Sequence, residues 1–346
     1  MQNRQILLKS RPVGIPQPEH FELKSASVPE PKDGEFLVEN HVLSVDPAQR
    51  GYVNDENNYA PPVPIGAVMR AMAVGKVVAS KCADVRVGEF LYGWFGWQDY
   101  CVGTRASILR RVDPAQAPLT TAAGVLGING LTAYLALHDI GRPKAGETVL
   151  VTAAAGAVGS IVGQLARKAG ARPIAVVGSD DKGRQCCDEY GYAGFINYRQ
   201  PLEPALRTLC PKGVDVFFDN TGGEIADIVI RQMALFGRVI QCGTMSIASW
   251  VPPPTGPRND REILTRRLRI EGFVIFDHLA RYDETAAALA TMLKDGSLRH
   301  AEDVRTDIAQ APQALVDVYS GRNNGKMVIR LRWAAVDDRW SQLQRA

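Results

Sequence analysis

The amino-acid sequence predicts an α/β protein of two domains, a mostly β domain of Greek-key or barrel type followed by a doubly wound parallel sheet. Three observations lead there. The chain has 346 residues, more than one hydrophobic core usually serves. Residues 1 to about 125 break into short strand-like runs divided by Pro and Gly clusters, the pattern of a small β domain. From about residue 146 the chain alternates apolar runs with helical segments, which means a parallel sheet covered on both faces.

In order, FELKSASV, EFLVENHVLSV, AMAVGKVVAS and EFLYGWFGWQDYCV read as strands of the first domain. TTAAGVLGINGLTAYLALHDI then changes the texture: apolar residues recur at helical spacing, threonines cap the start, and Gly141 and Pro143 stop it. The second domain follows as strand TVLVTA, a helix from Gly156 to Gly170, strand RPIAVVG, a helix through CCDEYG, strand GVDVFFDN, helix EIADIVIRQMAL and strand GRVIQCG. A Pro-rich loop leads to a basic helix, RIEGFVIF and a last helix, ARYDETAAALATMLKDG. The final strand, GKMVIRL, has no helix after it and is placed to return to the first domain; residues 333–346 read as a polar, peripheral tail.

Composition excludes several classes. A formal charge of +3 with acids and bases interspersed gives no basic face for nucleic acid. Apolar runs stop well short of the roughly 20 residues of a membrane span, and the first residues do not resemble a secretory signal, so the expected place is the cytoplasm. The six cysteines show no paired framework and read as reduced thiols. No C-x-x-C or H-E-x-x-H occurs and the five histidines are scattered, so no metal site is expected. Absence of G-x-S-x-G disfavours a serine hydrolase.

TVLVTAAAGAVGSIVGQLARKAG sets a strand, a tight turn and a helix in one unit. Gly156 lets the backbone approach a pyrophosphate, Gly159 lets the helix lie close to the strand, and the helix N-terminus offers amide hydrogens to the anion. Where an NAD-specific site places an acid on the ribose 2′-hydroxyl, about 20 residues on, this chain has Gly178, with Ser179 and Lys182 just beyond. That favours NADP(H). Asp180 and Asp181 read as N-cap and first-turn acids of the next helix. A hydride carrier without a metal to polarise a carbonyl suits transfer to an activated carbon.

VTAAAGAVGSIVGQLARKAG, VGSDDK, INY, FDNTGGE, QCGTMS, EGFVIF and GRNNGKMVIR, with LSVDPAQRG and FGWQDY before them, together resemble the medium-chain dehydrogenase/reductase superfamily. The similarity is greatest to its zinc-independent, NADPH-dependent alkenal/one and prostaglandin reductase branch with curcumin-reductase-like relatives. The resemblance implies a GroES-like catalytic domain from residues 1–125 and 311–346 and a Rossmann NADP-binding domain from 126–310. It places Gly156, Ala157, Val158 and Gly159 along the pyrophosphate, and Ser179, Lys182 and Tyr198 around the 2′-phosphate and adenosine. Asn220, Cys242, Gly243, Thr244, Ser246, Phe273, Ile275, Phe276 and Asn323 follow the ribose and nicotinamide. It also implies a homodimer and a small enone or enal substrate. Zinc-dependent branches carry cysteine and histidine ligands where this chain reads LSVDPAQRG and PIGAVMRAMAVGKV.

Within the nearest branch the chain departs at three tyrosine positions, carrying Ala48, Ala248 and the Ala67 to Met69 region instead. Tyr52 and Tyr59 are the remaining candidate catalytic donors, with Trp94, Phe95 and Trp97 as walls of an apolar pocket and an Asp46–Arg50 ion pair fixing the loop. The activity so implied is reduction of an enone C=C bond. A quinone reductase and a nonenzymatic NADPH-binding protein are its rivals.

Overall fold

The computed structural model describes residues 2–332 apart from 57, 248 and 251; Ala248 and the tail at 333–346 therefore lie outside the described residues. Two compact units divide the chain, one from residues up to Gly127 together with those from Glu302 onward, the other from Ile128 to Ala301.

The first unit opens with β1 (Gln2–Leu8), antiparallel to β2 (Phe21–Ser27). It continues with β3 (Phe36–Ser44), the short helix α1 (Gln49–Tyr52), β4 (Met72–Ser80), β5 (Phe90–Trp94), β6 (Tyr100–Gly103), β7 (Ile108–Val112) and α2 (Leu119–Ala122). β3 is buried almost throughout because it is paired on both edges, with β4 on one side and β6 on the other. Leu8, Phe36, Leu43, Leu91, Tyr92, Phe95 and Trp97 form its sealed core.

The second unit holds α3 (Ile128–Ala136), β8 (Thr148–Thr152), α4 (Gly159–Lys168), β9 (Arg172–Val177), α5 (Asp180–Tyr190), β10 (Gly194–Asn197), α6 (Leu202–Leu209), β11 (Val214–Asp219), α7 (Gly223–Ile230), β12 (Met233–Gln241), α8 (Asp260–Arg266), β13 (Arg269–Gly272) and α9 (Tyr282–Lys294). Its six strands are all parallel, in the order β10-β9-β8-β11-β12-β13. That is the Rossmann order, and strand sequence reverses between β8 and β11, where such sheets open a ligand crevice.

The chain then rejoins the first unit through β14 (Glu302–Arg305), α10 (Ala311–Tyr319) and β15 (Lys326–Arg330). β15 pairs parallel with β14 and antiparallel with β3, completing a sheet ordered β14-β15-β3-β4-β5-β7 with β6 on β3.

Several elements differ from the sequence reading. The helix expected from residue 120 is broken between α2 and α3, where a Cβ on Gly127 would lie 2.5 Å from the Ala122 carbonyl oxygen. EFLYGWFGWQDYCV folds as two strands, because Gly96 takes φ +69° and sends Phe95 and Trp97 into the core. Those two side chains are therefore core, not pocket wall. The helix EIADIVIRQMAL ends at Ile230, since sealed Met233 already pairs with Val214 of β11.

Candidate functional site

In the second unit, the glycine turn leaves β8 at the reversal of strand order and enters α4. A Cβ on Gly156 would meet only the Ala153 carbonyl oxygen, at 3.1 Å, so its outer face is open to a ligand's approach. Gly159 is different: a Cβ there would sit 2.4 Å from that oxygen and 2.7 Å from the Ala154 Cα, so helix and strand meet backbone to backbone. Ala157 and Val158 complete the turn between them. Buried Tyr192 fixes the helix start from below, its hydroxyl donating to the Gly159 carbonyl at 2.6 Å, with its ring against Gly163. Burial pushes this phenol well above its ordinary value, so it stays a donor.

At the same edge of the sheet, buried Asp219 ties three strand ends together. Its Oδ1 accepts from the Thr152 hydroxyl at 3.1 Å, the Thr221 amide at 2.8 Å and the Gly222 amide at 2.9 Å, and its Oδ2 from Gln241 Nε2 at 3.2 Å. Asn220 adds a bond from Nδ2 to the Thr152 carbonyl at 2.8 Å. The Cys242 and Gly243 amides donate to the Asp219 carbonyl at 2.8 and 3.0 Å. Ser246 Oγ donates to the Thr221 carbonyl at 2.7 Å, and Thr244 lies against Gly222. Burial and the nearby Asp219 push the Cys242 thiol up to about 12, so at neutral pH it is protonated.

Ser179, Lys182 and Tyr198 gather at the ends of β9 and β10. A Cβ on Gly178 would lie 2.8 Å from the Tyr198 hydroxyl. The cap of α5 is Ser179, accepting from the Lys182 amide at 3.4 Å, and not Asp180 as the sequence suggested. Asp180 accepts from Asn197 Nδ2 at 2.9 Å and Asp181 pairs with Arg184, so both carboxylates are engaged by their own chain. Beyond β13, the Phe273 amide donates to the Gln241 carbonyl at 3.1 Å and its buried ring stacks on His278 at 4.7 Å. Ile275 is buried and Phe276 half-buried beside it. Asn323 belongs to the first unit, where its Nδ2 donates to the Gly325 carbonyl at 2.8 Å ahead of β15.

The first unit holds the two candidate donors. Tyr52 is buried and Tyr59 is 47 % exposed, their rings edge to face at 6.1 Å. Trp94 meets Tyr52 at 6.1 Å and the Arg70 guanidinium lies 5.4 Å from the Tyr52 ring centre. The expected Asp46–Arg50 ion pair does not form. Asp46 instead accepts from sealed Lys326 at 3.0 Å and from Ser44, while Arg50 donates to Asn54. The sequence spacing could not reveal a partner 280 residues away. Arg70, Tyr319, Asp219, Tyr192 and Lys326 were all missed; only Asp219, at the end of an apolar strand, carried a local signal. Among the described residues, no three His, Cys, Asp or Glu side chains group to hold a metal.

Residues 4–110 match a family described as the N-terminal domain of oxidoreductase, and residues 157–294 one described as zinc-binding dehydrogenase. The chain is 36 % identical to the NADPH-dependent curcumin reductase of Escherichia coli over 95 % of this chain and 97 % of that one. It is 34 % identical to the NADP(+)-dependent 2-alkenal reductase of Nicotiana tabacum over 94 % and 97 %. The crystal structure of CurA in complex with NADPH from Vibrio vulnificus superimposes with a TM-score of 0.89 at 36 % identity, covering 96 % of this chain and all of that one. With the Rossmann strand order, the glycine turn at its reversal and full-length likeness to such reductases, the chain belongs to the double-bond reductase branch of the medium-chain dehydrogenase/reductase superfamily.

Proposed function

We propose that this chain reduces the C=C bond of α,β-unsaturated aldehydes and ketones, adding hydride at the β-carbon and a proton at the α-carbon, without a metal. It is an NADP-dependent oxidoreductase. The observation that carries the cofactor's placement is the open face of Gly156 at the strand reversal, with Ser179 and Lys182 where an NAD site would carry an acid.

Bound NADPH supplies the hydride. Gly156, Ala157, Val158 and Gly159 would hold the pyrophosphate with backbone amides at the start of α4. Ser179, Lys182 and Tyr198 would hold the 2′-phosphate end, and the Asp219-tied loops carrying Asn220, Cys242, Gly243, Thr244 and Ser246 would border the ribose and nicotinamide with Phe273, Ile275 and Phe276. Tyr52 and Tyr59 hydrogen-bond the substrate carbonyl as enolate charge develops and deliver the α-proton. Burial raises the Tyr52 phenol far above its ordinary value, so it acts as a donor at neutral pH.

The free edge of β13, beside exposed Leu235, Phe236, Leu264 and Ile270, suits pairing with a second copy across a twofold axis. Six cysteines without a disulfide among them suit a cytoplasmic setting.

Cofactor oxidation with a simple enone, using NADPH and then NADH, tests the reading. Turnover should favour NADPH, and Lys182→Ala should raise the KM for NADPH about tenfold, as loss of one charge-assisted phosphate contact predicts, with little change for NADH. Turnover of quinones but of no enone would overturn it.

A further inference from the structure

We propose that Asn197 governs the choice between NADPH and NADH without touching either, by tethering the Asp180 carboxylate away from the ribose 2′ position. The proposal rests on the placement of the 2′-phosphate at Ser179, Lys182 and Tyr198, and it names what keeps that place clear of an acid.

All of these residues belong to the second unit. β10 ends at Asn197, paired with Val177 at the end of β9, and the Tyr198 amide continues the pairing by donating to the Val177 carbonyl at 3.0 Å. The chain leaving β10 therefore lies beside the entry to α5. An acid that reads a free ribose hydroxyl ordinarily stands at the end of this second strand. Here that position is Gly178, and a Cβ on it would lie 2.8 Å from the Tyr198 hydroxyl and 3.1 Å from the ring carbon that bears it. With Tyr198 in that space, the acids next in line are Asp180 and Asp181.

Both stand in the first turn of α5, where a carboxylate complements the positive end of the helix. The same place is a poor one for an acid when a phosphate dianion is to bind, because like charges a few ångströms apart repel. The two acids are held in different ways. Asp181 pairs with Arg184 of its own helix. Asp180 is held from another strand, its Oδ1 accepting from Asn197 Nδ2 at 2.9 Å.

Asn197 is itself fixed. Its Oδ1 accepts from the Arg199 amide at 3.1 Å and its carbonyl from the Gln200 amide at 2.9 Å, so the side-chain amide is locked between the turn after β10 and Asp180. A neutral amide sets the direction of the carboxylate and adds no charge of its own. Released from it, Asp180 could accept from a ribose 2′-hydroxyl and repel a 2′-phosphate; the tether suppresses both. The acid can then stabilise the helix start without turning the site toward NADH.

The test compares Kd values for NADPH and NADH by nicotinamide fluorescence, in which the identity of the acceptor plays no part. Asn197→Leu, similar in volume but without the amide, should lower the ratio of NADPH to NADH affinity about tenfold. Asp180→Asn alone should move the ratio by no more than about threefold, because the tethered charge is screened from the phosphate. Added to Asn197→Leu, the same substitution should restore the wild-type preference, a coupling that a general loss of structure would not produce. Circular dichroism and the thermal midpoint establish that each variant is folded, and the Asp180→Asn arm stands by itself should Asn197→Leu fail to fold. A ratio unchanged in Asn197→Leu, equal weakening of both cofactors, or a loss that Asp180→Asn does not repair would overturn the tether while Lys182→Ala still weakens NADPH selectively. A large rise in the ratio from Asp180→Asn alone would overturn it too, since the acid would already be facing the cofactor. If Lys182→Ala affects NADPH and NADH alike, the phosphate lies elsewhere and the tether falls with that placement.

Discussion

Asp219 uses its carboxylate on its own chain, binding the ends of β8, β11 and β12 where the cofactor is proposed to lie. Burial raises its pKa while the surrounding donors lower it, and burial dominates. The folded state therefore holds the proton more tightly than the unfolded chain, and stability falls as pH rises from the ordinary carboxylate range through the raised value. Asp219→Asn keeps an oxygen for Thr152, Thr221 and Gly222 but sets an NH2 against Gln241 Nε2. The expected cost is about 1–3 kcal/mol, with weaker NADPH binding, read by thermal denaturation and by fluorescence titration. The buried Lys326–Asp46 pair shows the same economy of partners: burial pulls the lysine below its ordinary pKa while Asp46 opposes the shift.

At the level of elements, the glycine turn contains two glycines with separate duties. Gly159→Ala would drive a methyl into the backbone that enters the turn and should destabilise the fold by about 1–3 kcal/mol or more. Gly156→Ala meets one backbone oxygen, at 3.1 Å, a milder contact than those at Gly159, so the thermal midpoint should fall clearly less than in Gly159→Ala while NADPH affinity falls. Equal loss of stability in the two variants would remove the distinction. This turn, the parallel strands and the helices after them were legible because apolar period and glycine placement are local signals. The break between α2 and α3, the split of β5 from β6, and the early end of α7 were not, because each is set by close approach of distant backbone or by a sealed side chain. The Asp46–Arg50 expectation failed for the same reason: adjacency in sequence suggested a pair, and burial of Lys326 against Asp46 from far along the chain decided it. Arg70 sits between sealed Met69 and Ala71, and nothing local distinguished it from a surface arginine.

Across the whole molecule, several phenols lie deep while Tyr59 and Tyr198 are exposed. Tyr52, Tyr190, Tyr192 and Tyr319 all have raised pKa values, chiefly from burial, with Tyr190 up to about 12. Below pH 10 both folded and unfolded states keep these protons; above it the unfolded chain loses them first, so stability should fall steadily as pH climbs past about 10. A spectrophotometric titration should show a rapid fraction of tyrosines ionising near the ordinary value and a second fraction only as the fold is lost. A single reversible transition for all of them would contradict this. The pairing of β15 with β3 has a consequence for synthesis. The second unit is one continuous stretch and is complete in the growing chain before β15 exists, whereas the first unit must hold β3 without its neighbour until nearly the last residues emerge. On the ribosome the later segment therefore finishes first, and the exposed flank of β3 is where a nascent chain of this protein most needs a chaperone's cover.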